Sequence, residues 1–241
     1  HFVNRNMTIS VIIPTLNEAA LIADQIVSIR EKALAHKIEI IVVDAESEDG
    51  TALLAKKAGA KVISIQRSCR SIQMNEGAKV AKGDVYFFLH ADLTLPHGFA
   101  EDIRQGVNAG RSYGCYQVRF DTENKGLAFN SRLSKFQGIF FRGGDQTLYM
   151  TKAFFELIGG FNDEIVIMED YEILLRARKY QKINIMPKHV IISSRKVQEN
   201  TYLRANLTNL LVFVMFFLGF SQKTLVKVYR RFVKGTKYSI K

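Results

Sequence analysis

The residues best able to do chemistry in this chain stand at the ends of apolar runs. Val85 to Leu89 is short, uninterrupted and rich in β-branched and aromatic residues, the composition of a strand buried on both faces, and it stops at His90-Ala91-Asp92. An imidazole and a carboxylate two residues apart lie on one side of an extended chain, and both are competent ligands for a divalent cation. The alternative is that His90 packs and Asp92 caps the turn into a helix after Pro96. A second group follows the run Ile38 to Val43. There Asp44 offers an acceptor carboxylate able to pair with the N–H of a nucleobase, while Ser47 and Asp49 read as turn and N-cap residues. Pro14, Thr15, Asn17 and Glu18 gather after the first apolar run, and Arg70, opening a helical stretch, has the charge and reach for a phosphate. Glu169-Asp170 opens another helical stretch, where a carboxylate serves either as a general base or as a first-turn residue favoured by the helix dipole.

Such groups need a scaffold that brings strand ends together. Ile9 to Ile13, Ile38 to Val43, Val62 to Ile65 and Val85 to Leu89 read as strands. Helical stretches separate them: 19–33, with Leu21, Ile22, Ile26 and Ile29 on one face; one carrying Leu53, Leu54 and Ala58 and closing at Gly59; and 70–81. This alternation predicts an α/β fold, a mostly parallel sheet with right-handed crossovers and helices on both faces, whose ligand crevice lies at the carboxyl ends of the strands. Further on, the pattern predicts a helix over 96–110, a strand over 112–120 and a helix over 127–141 with a core stripe of Phe129, Leu133, Phe136 and Phe140. A strand over 147–150, a helix over 152–158 stopped at Gly159-Gly-Phe161, and a helix with Tyr171, Leu174 and Leu175 facing inward follow. Two closing strands, 183–187 and 190–195, complete the domain, with Arg195 facing a diphosphate or solvent.

The chain has 241 residues, 47% of them hydrophobic, enough for a large core. Cys69 and Cys115 lie far apart without metal-ligand spacing, so they read as free thiols in a reducing, cytoplasmic setting. Residues 1–6 lack the apolar core of a signal peptide, and Met7 reads as the natural start with a remnant ahead of it. The formal charge of +11 is unevenly placed: residues 171–241 hold 15 Lys/Arg against 2 Asp/Glu, a net +13, and residues 1–170 carry −2. Residues 201–241 read as a helical appendage to a domain over 7–200. Within it Leu207 to Phe220 is apolar nearly all round but short for a membrane span. Ser221 then caps a helix that sets Leu225, Val226, Tyr229, Phe232 and Val233 against Lys223, Lys227, Arg230, Arg231 and Lys234. That is the pattern of an interfacial helix pair on an anionic membrane surface; a homodimer interface, or a helix folded back onto the domain, competes with it. Basic residues interleaved with aliphatics, without a recognised binding motif, argue against nucleic acid as a partner. The absence of a Gly-rich basic loop after the first strand argues against a sugar nucleotidyltransferase.

Four segments in order, Ser10-Val-Ile-Ile-Pro-Thr-Leu-Asn-Glu18, Val42-Val-Asp-Ala-Glu-Ser-Glu-Asp-Gly-Thr51, Leu89-His-Ala-Asp92 and Met168-Glu-Asp170, resemble the signature of family 2 glycosyltransferases, which have the GT-A (Rossmann-like) fold. The resemblance runs from about residue 8 to 195. It implies a nucleotide-diphosphosugar donor, a UDP-sugar first among them, a divalent metal (Mn2+ or Mg2+), and an inverting transfer to an acceptor hydroxyl or lipid phosphate. By position it implies Pro14, Thr15, Asn17, Glu18, Arg70 and Ala91 around the nucleotide, Asp44 on the base, Asp92 and His90 on the metal, and Asp170 as general base beside Glu169. The family usually has Asp where this chain has His90, a difference that bears on metal preference. Ala45-Glu46 replaces the more usual Asp-Gly, which bears on the identity of the base. The runs Arg70 to Gly77, Leu89 to Asp92 and Gly144-Asp-Gln146 are further similar to a bacterial subgroup associated with arsenosugar biosynthesis, in which Asp145 and Gln146 face the acceptor.

Overall fold

The computed structural model describes residues 7–66, 69–120, 147–192 and 202–233. The four apolar runs are strands β1 (Ile9–Thr15), β2 (Ile38–Asp44), β3 (Lys61–Ser64) and β4 (Val85–Phe88), paired in parallel in the order β3-β2-β1-β4. Between them run α1 (Ala19–Lys32), α2 (Thr51–Lys57) and α3 (Arg70–Val80). Alternate residues of each strand feed two separate cores, as the pleat dictates. On one side Val11, Ile13, Val42 and Phe87 pack with Ile22, Ile26 and Ile29 of α1 and with Phe99 and Ile103 of α4 (Phe99–Asn108). On the other, Ile12, Ile41, Val43 and Phe88 pack with Met74 of α3, Phe155 of α5 (Lys152–Leu157) and Ile173 of α6 (Glu169–Ala177). Burial on both faces is why β4 reads as an unbroken apolar run and why β1 and β2 are apolar apart from Ser10 and Glu39 near their starts and Thr15 and Asp44 at their ends.

Beyond β4 the sheet is mixed. It continues through β7 (Leu148–Thr151), β6 (Tyr113–Phe120), β8 (Asn184–Ile192) and β5 (Leu93–Thr94), with β7 antiparallel to both β4 and β6, β8 parallel to β6, and β5 antiparallel to β8. The two closing strands expected around 183–195 are one strand. The register jumps from Tyr116 opposite Met186 to Gln117 opposite His189, so Pro187 and Lys188 bulge out of the ladder. Proline has no N–H to give the ladder, and a bulge accommodates it. The Gln117 side chain donates to the Met186 and Pro187 carbonyls, at 3.1 and 3.3 Å, across the gap.

Two expected faces are observed in part: Leu54 and Ala58 of α2 and Leu174 of α6 are partly buried and pack against the cores. Leu53 of α2 is 58% exposed, while Thr51 and Ala55 make that helix's buried side. On α6 the buried positions are Glu169, Ile173 and Ala177. Tyr171 turns instead to a partner far along the chain, its ring edge-on to Phe213 at 5.0 Å. The aromatic helix expected over 127–141 and the end of the expected strand at Arg195 lie outside the described residues. Cys69 and Cys115 are both buried, and neither is in a disulfide.

The last two helices, α7 (Tyr202–Phe217) and α8 (Gln222–Phe232), form a pair that folds back onto the domain. Ser221 caps α8, accepting from Thr224 N at 3.3 Å. Val212, Leu225 and Val226 are buried with Ile167 in a third, smaller core. The outward side of α7 is a different surface: Leu207, Leu210, Leu211, Val214 and Phe217 are all exposed. No helix among the described residues is long and apolar enough to cross a membrane.

Candidate active site

The loops that leave β1 and β2 are fastened to each other by side chains. Asp44, 1% exposed, accepts from Thr15 Oγ1 at 2.9 Å and Ser47 Oγ at 2.6 Å on one oxygen, and from Ser47 N at 2.9 Å on the other. Across the gap, Asn17 N donates to Ser47 Oγ at 2.8 Å, Glu48 N to Asn17 Oδ1 at 3.0 Å, and Glu18 N to Thr51 Oγ1 at 2.9 Å. Asp49 accepts from Ala19 N at 3.0 Å and Thr51 N at 3.0 Å, so a carboxylate of one loop satisfies the amide at the head of α1. Burial pushes the Asp49 carboxyl up, but the bonds from Thr51 and Ala19 outweigh it and hold the group below the usual carboxylate range. Asn17 and Glu46 both adopt positive φ, at 53° and 52°. At Asn17 the conformation is held by the bonds that its amide and side chain make across the loops.

Helix α3 lies directly against the ends of these strands. Gln73, buried, donates to Thr15 O at 2.9 Å and to Val43 O at 2.7 Å, bridging β1 and β2 just where they open into the loops. The approach depends on Gly77: a Cβ there would stand 2.4 Å from Ile12 Cγ2 and 3.1 Å from Val43 Cγ2. Neither Gln73 nor Gly77 stood out in the sequence as a site-building residue, since a lone Gln or Gly within a helical stretch carries no periodic signal.

At the end of β4, His90 and Asp92 sit in the turn to β5 and are each half-buried. Gln25 of α1 donates to Leu93 O at 2.6 Å and Leu89 N to Ile12 O at 3.0 Å, which fixes the turn from both sides. Ala91 is 6% exposed and packs in the core, so toward a ligand it offers backbone alone. No group of three or more His, Cys, Asp and Glu among the described residues stands close enough to hold an ion. The Asp92 carboxylate nonetheless suits Mg2+ or Mn2+, with substrate phosphates completing the set, whereas the His90 imidazole is a ligand for Mn2+ rather than for the hard, oxygen-seeking Mg2+.

The segment leading into α6 joins this edge from the other side. Glu169, 3% exposed, lies with Oε1 3.5 Å from Arg70 Nη1 at the head of α3, and Ser71 Oγ donates to Ile165 O at 2.8 Å. Arg70 and Glu169, read from sequence as separate contributors, are therefore an ion pair. Asp170 is half-buried in the first turn of α6, where the helix dipole favours a carboxylate. Met168, just before it, has φ 72°, the left-handed region. Pro14 is paired in register with Val43 at the end of β1. Thus Pro14, Thr15, Asn17, Glu18, Asp44, Arg70, Glu169 and Asp170 come to one edge of the sheet with the His90–Asp92 turn. Asp145 and Gln146 lie outside the described residues.

Known proteins share both the sequence pattern and the fold. Residues 10–160 match the family described as Glycosyl transferase family 2. Glucosyl-3-phosphoglycerate synthase of Mycobacterium tuberculosis is 35% identical over 98 residues, which are 37% of this chain and 30% of the relative. The Mycolicibacterium paratuberculosis protein of the same name is 34% identical over a stretch of equal length. Among solved structures, the mannosyltransferase PcManGT from Pyrobaculum calidifontis, in complex with GDP-Man and Mn2+, superposes with a TM-score of 0.66 at 19% identity, covering 95% of this chain and 70% of that one. S. aureus TarS 1–349 in complex with UDP-GlcNAc gives 0.65 at 15% identity, covering 94% and 71%.

Proposed function

This chain belongs to glycosyl transferase family 2, and on that premise we propose that it transfers a sugar from a nucleotide-diphosphosugar, a UDP-sugar first among the donors, to an acceptor with inversion at the anomeric carbon. The observation that carries this reading is the convergence, on one sheet edge, of the cross-bonded loops after β1 and β2, the His90–Asp92 turn after β4 and the first turn of α6. In open α/β sheets this edge is where ligands bind.

The loops after β1 and β2 take the nucleotide, with Pro14, Thr15, Asn17 and Glu18 along one side and Asp44 accepting from the base. Three bonds within the fold already occupy most of the roughly four acceptor positions of the Asp44 carboxylate, so the base meets a group held in one orientation. Asp92 and His90 are the residues that would hold a divalent cation, whose chemistry is to neutralise charge on the diphosphate. Asp170 is the base. As the acceptor oxygen bonds to the anomeric carbon and the bond to the diphosphate breaks, the acceptor proton passes to the Asp170 carboxylate and the nucleoside diphosphate leaves with the electron pair. Glu169, buried against Arg70, supports the turn beside it.

We read the acceptor as lipid-linked, met at an anionic membrane face on the cytoplasmic side. The named relatives share too little length with this chain to carry an acceptor across, and the resemblance to the arsenosugar-associated subgroup rests on short runs. The support comes from the tail: exposed Leu207, Leu210, Leu211, Val214 and Phe217 extend about 15 Å along α7, beside exposed Lys223, Lys227, Arg230 and Arg231 of α8. Residues 201–241 contain no Asp or Glu.

Asp170→Asn tests the base. The amide keeps the shape of the carboxylate but cannot take the proton, so donor binding by calorimetry stays and turnover falls on the order of 10²–10⁴-fold. Near-normal turnover would move the base to Glu169 or elsewhere.

A further inference from the structure

Between Phe161 and α6 the chain runs through turns and bends without regular secondary structure, yet it delivers the carboxylates that the proposed chemistry uses. Buried backbone in such a segment must find hydrogen-bond partners outside it. Ile167 is 2% exposed, and its amide, with that of Val166, is accepted by one atom: Gln222 Oε1, at 3.0 and 3.1 Å. Gln222 is the first residue of α8, in the C-terminal helix pair. The Ile167 side chain enters the small core of Val212, Leu225 and Val226, where Met168 also packs. On the opposite side α3 holds the same segment, through Ser71 to Ile165 O and Arg70 to Glu169. The chain from Ile165 to Glu169 is thus clamped between α3 and α8, and Met168 takes its positive φ inside the clamp.

We propose that Gln222 is a positioning residue for Asp170, through which the C-terminal helix pair sets the direction in which α6 presents its first turn. This rests on the reading of Asp170 as the base. A helix appended far along the chain thereby becomes part of the reaction's machinery on its inner side, independently of what its outer side binds. Two backbone amides converging on one side-chain oxygen make the link sensitive to that atom alone: glutamate keeps an acceptor in place, whereas leucine fills the space without one.

The test compares the intact chain with Gln222→Leu, Gln222→Glu and Asp170→Asn. Nucleoside diphosphate release from a UDP-sugar with water as acceptor gives kcat, calorimetry gives donor Kd, and thermal unfolding gives the folded fraction. Gln222→Leu should leave donor Kd unchanged and lower kcat about ten- to a hundredfold, the scale of loss when a reacting group is displaced by about an ångström. Gln222→Glu should restore kcat close to that of the unaltered chain. The proposal is overturned if Gln222→Leu keeps full kcat, if Gln222→Glu falls as far as Gln222→Leu, or if kcat drops only in step with the folded fraction. If Asp170→Asn abolishes turnover while Gln222→Leu does not, the positioning role alone is lost. If Asp170→Asn turns over normally, the base reading falls and the positioning role falls with it.

Discussion

A buried carboxylate that accepts hydrogen bonds on both oxygens is hard to replace, because each donor left behind stays buried without its partner. Asp44 is such a group, joined to Thr15 Oγ1, Ser47 Oγ and Ser47 N. In Asp44→Asn an amide N–H₂ in place of Oδ1 requires the Thr15 and Ser47 hydroxyls to turn from donors into acceptors, and a neutral amide replaces charge-assisted bonds with weaker ones. We expect the variant to lose about 1–3 kcal/mol of stability and to bind the sugar donor more weakly; chemical unfolding and calorimetry check the two effects. A variant as stable as the unaltered chain would mean that Asp44 does not hold the loops together. The chemical types at this site were legible in the sequence, since Asp44, His90 and Asp92 interrupt apolar runs. The bonds among them were not, because Thr15, Ser47 and Asp49 are ordinary turn residues until the fold brings two loops face to face.

At the scale of elements, α3 approaches β1 and β2 closely enough for Gln73 to bond both strand ends, and Gly77 makes that approach feasible. Gly77→Ala would set a methyl 2.4 Å from Ile12 Cγ2, in a core where Ile12 and Val43 are fully buried. The expected cost is about 1–3 kcal/mol, read as a lower Tm; the helix, pushed away, would also loosen Gln73 and weaken donor binding. A Tm equal to that of the unaltered chain would show that the α3–sheet contact yields without penalty. Strands β1, β2 and β4 were readable because burial on both faces leaves a mainly apolar run, and helix α1 because a single face is buried. On helix α6 the expected inward side holds for Leu174, which packs on the core, whereas Tyr171 meets Phe213, a residue of the helix that folds back from the C-terminal end and so invisible in the local pattern. The single strand β8 was hidden by Pro187, which a bulge accommodates.

At the scale of the whole molecule, charge and apolar surface are divided between two ends of the chain. Residues 1–170 carry a net −2 and residues 171–241 a net +13. Each basic side chain near an anionic leaflet contributes roughly 1 kcal/mol, and salt weakens it. With the exposed stripe on α7, the protein should float with anionic vesicles, an association reversed by salt and abolished by truncation at Thr201. Failure to float, together with sedimentation as a tight dimer, would assign the α7 stripe to self-association instead and remove the support for a lipid-linked acceptor.

The central claim, that this sheet edge binds a nucleotide-diphosphosugar together with a divalent cation, is tested most directly by calorimetric titration of UDP-, GDP- and dTDP-sugars into the protein with Mn2+, with EDTA, and into Asp92→Asn. Saturable binding of one nucleotide class, a UDP-sugar first among them, is expected, and it weakens strongly in EDTA, where a diphosphate beside Asp92 meets uncompensated negative charge, and in Asp92→Asn, where the neutral amide is a poorer ligand and the cation that offsets the diphosphate is lost. Binding of none of these donors would contradict the site, and binding of undiminished affinity in both EDTA and Asp92→Asn would contradict the cation's place in it.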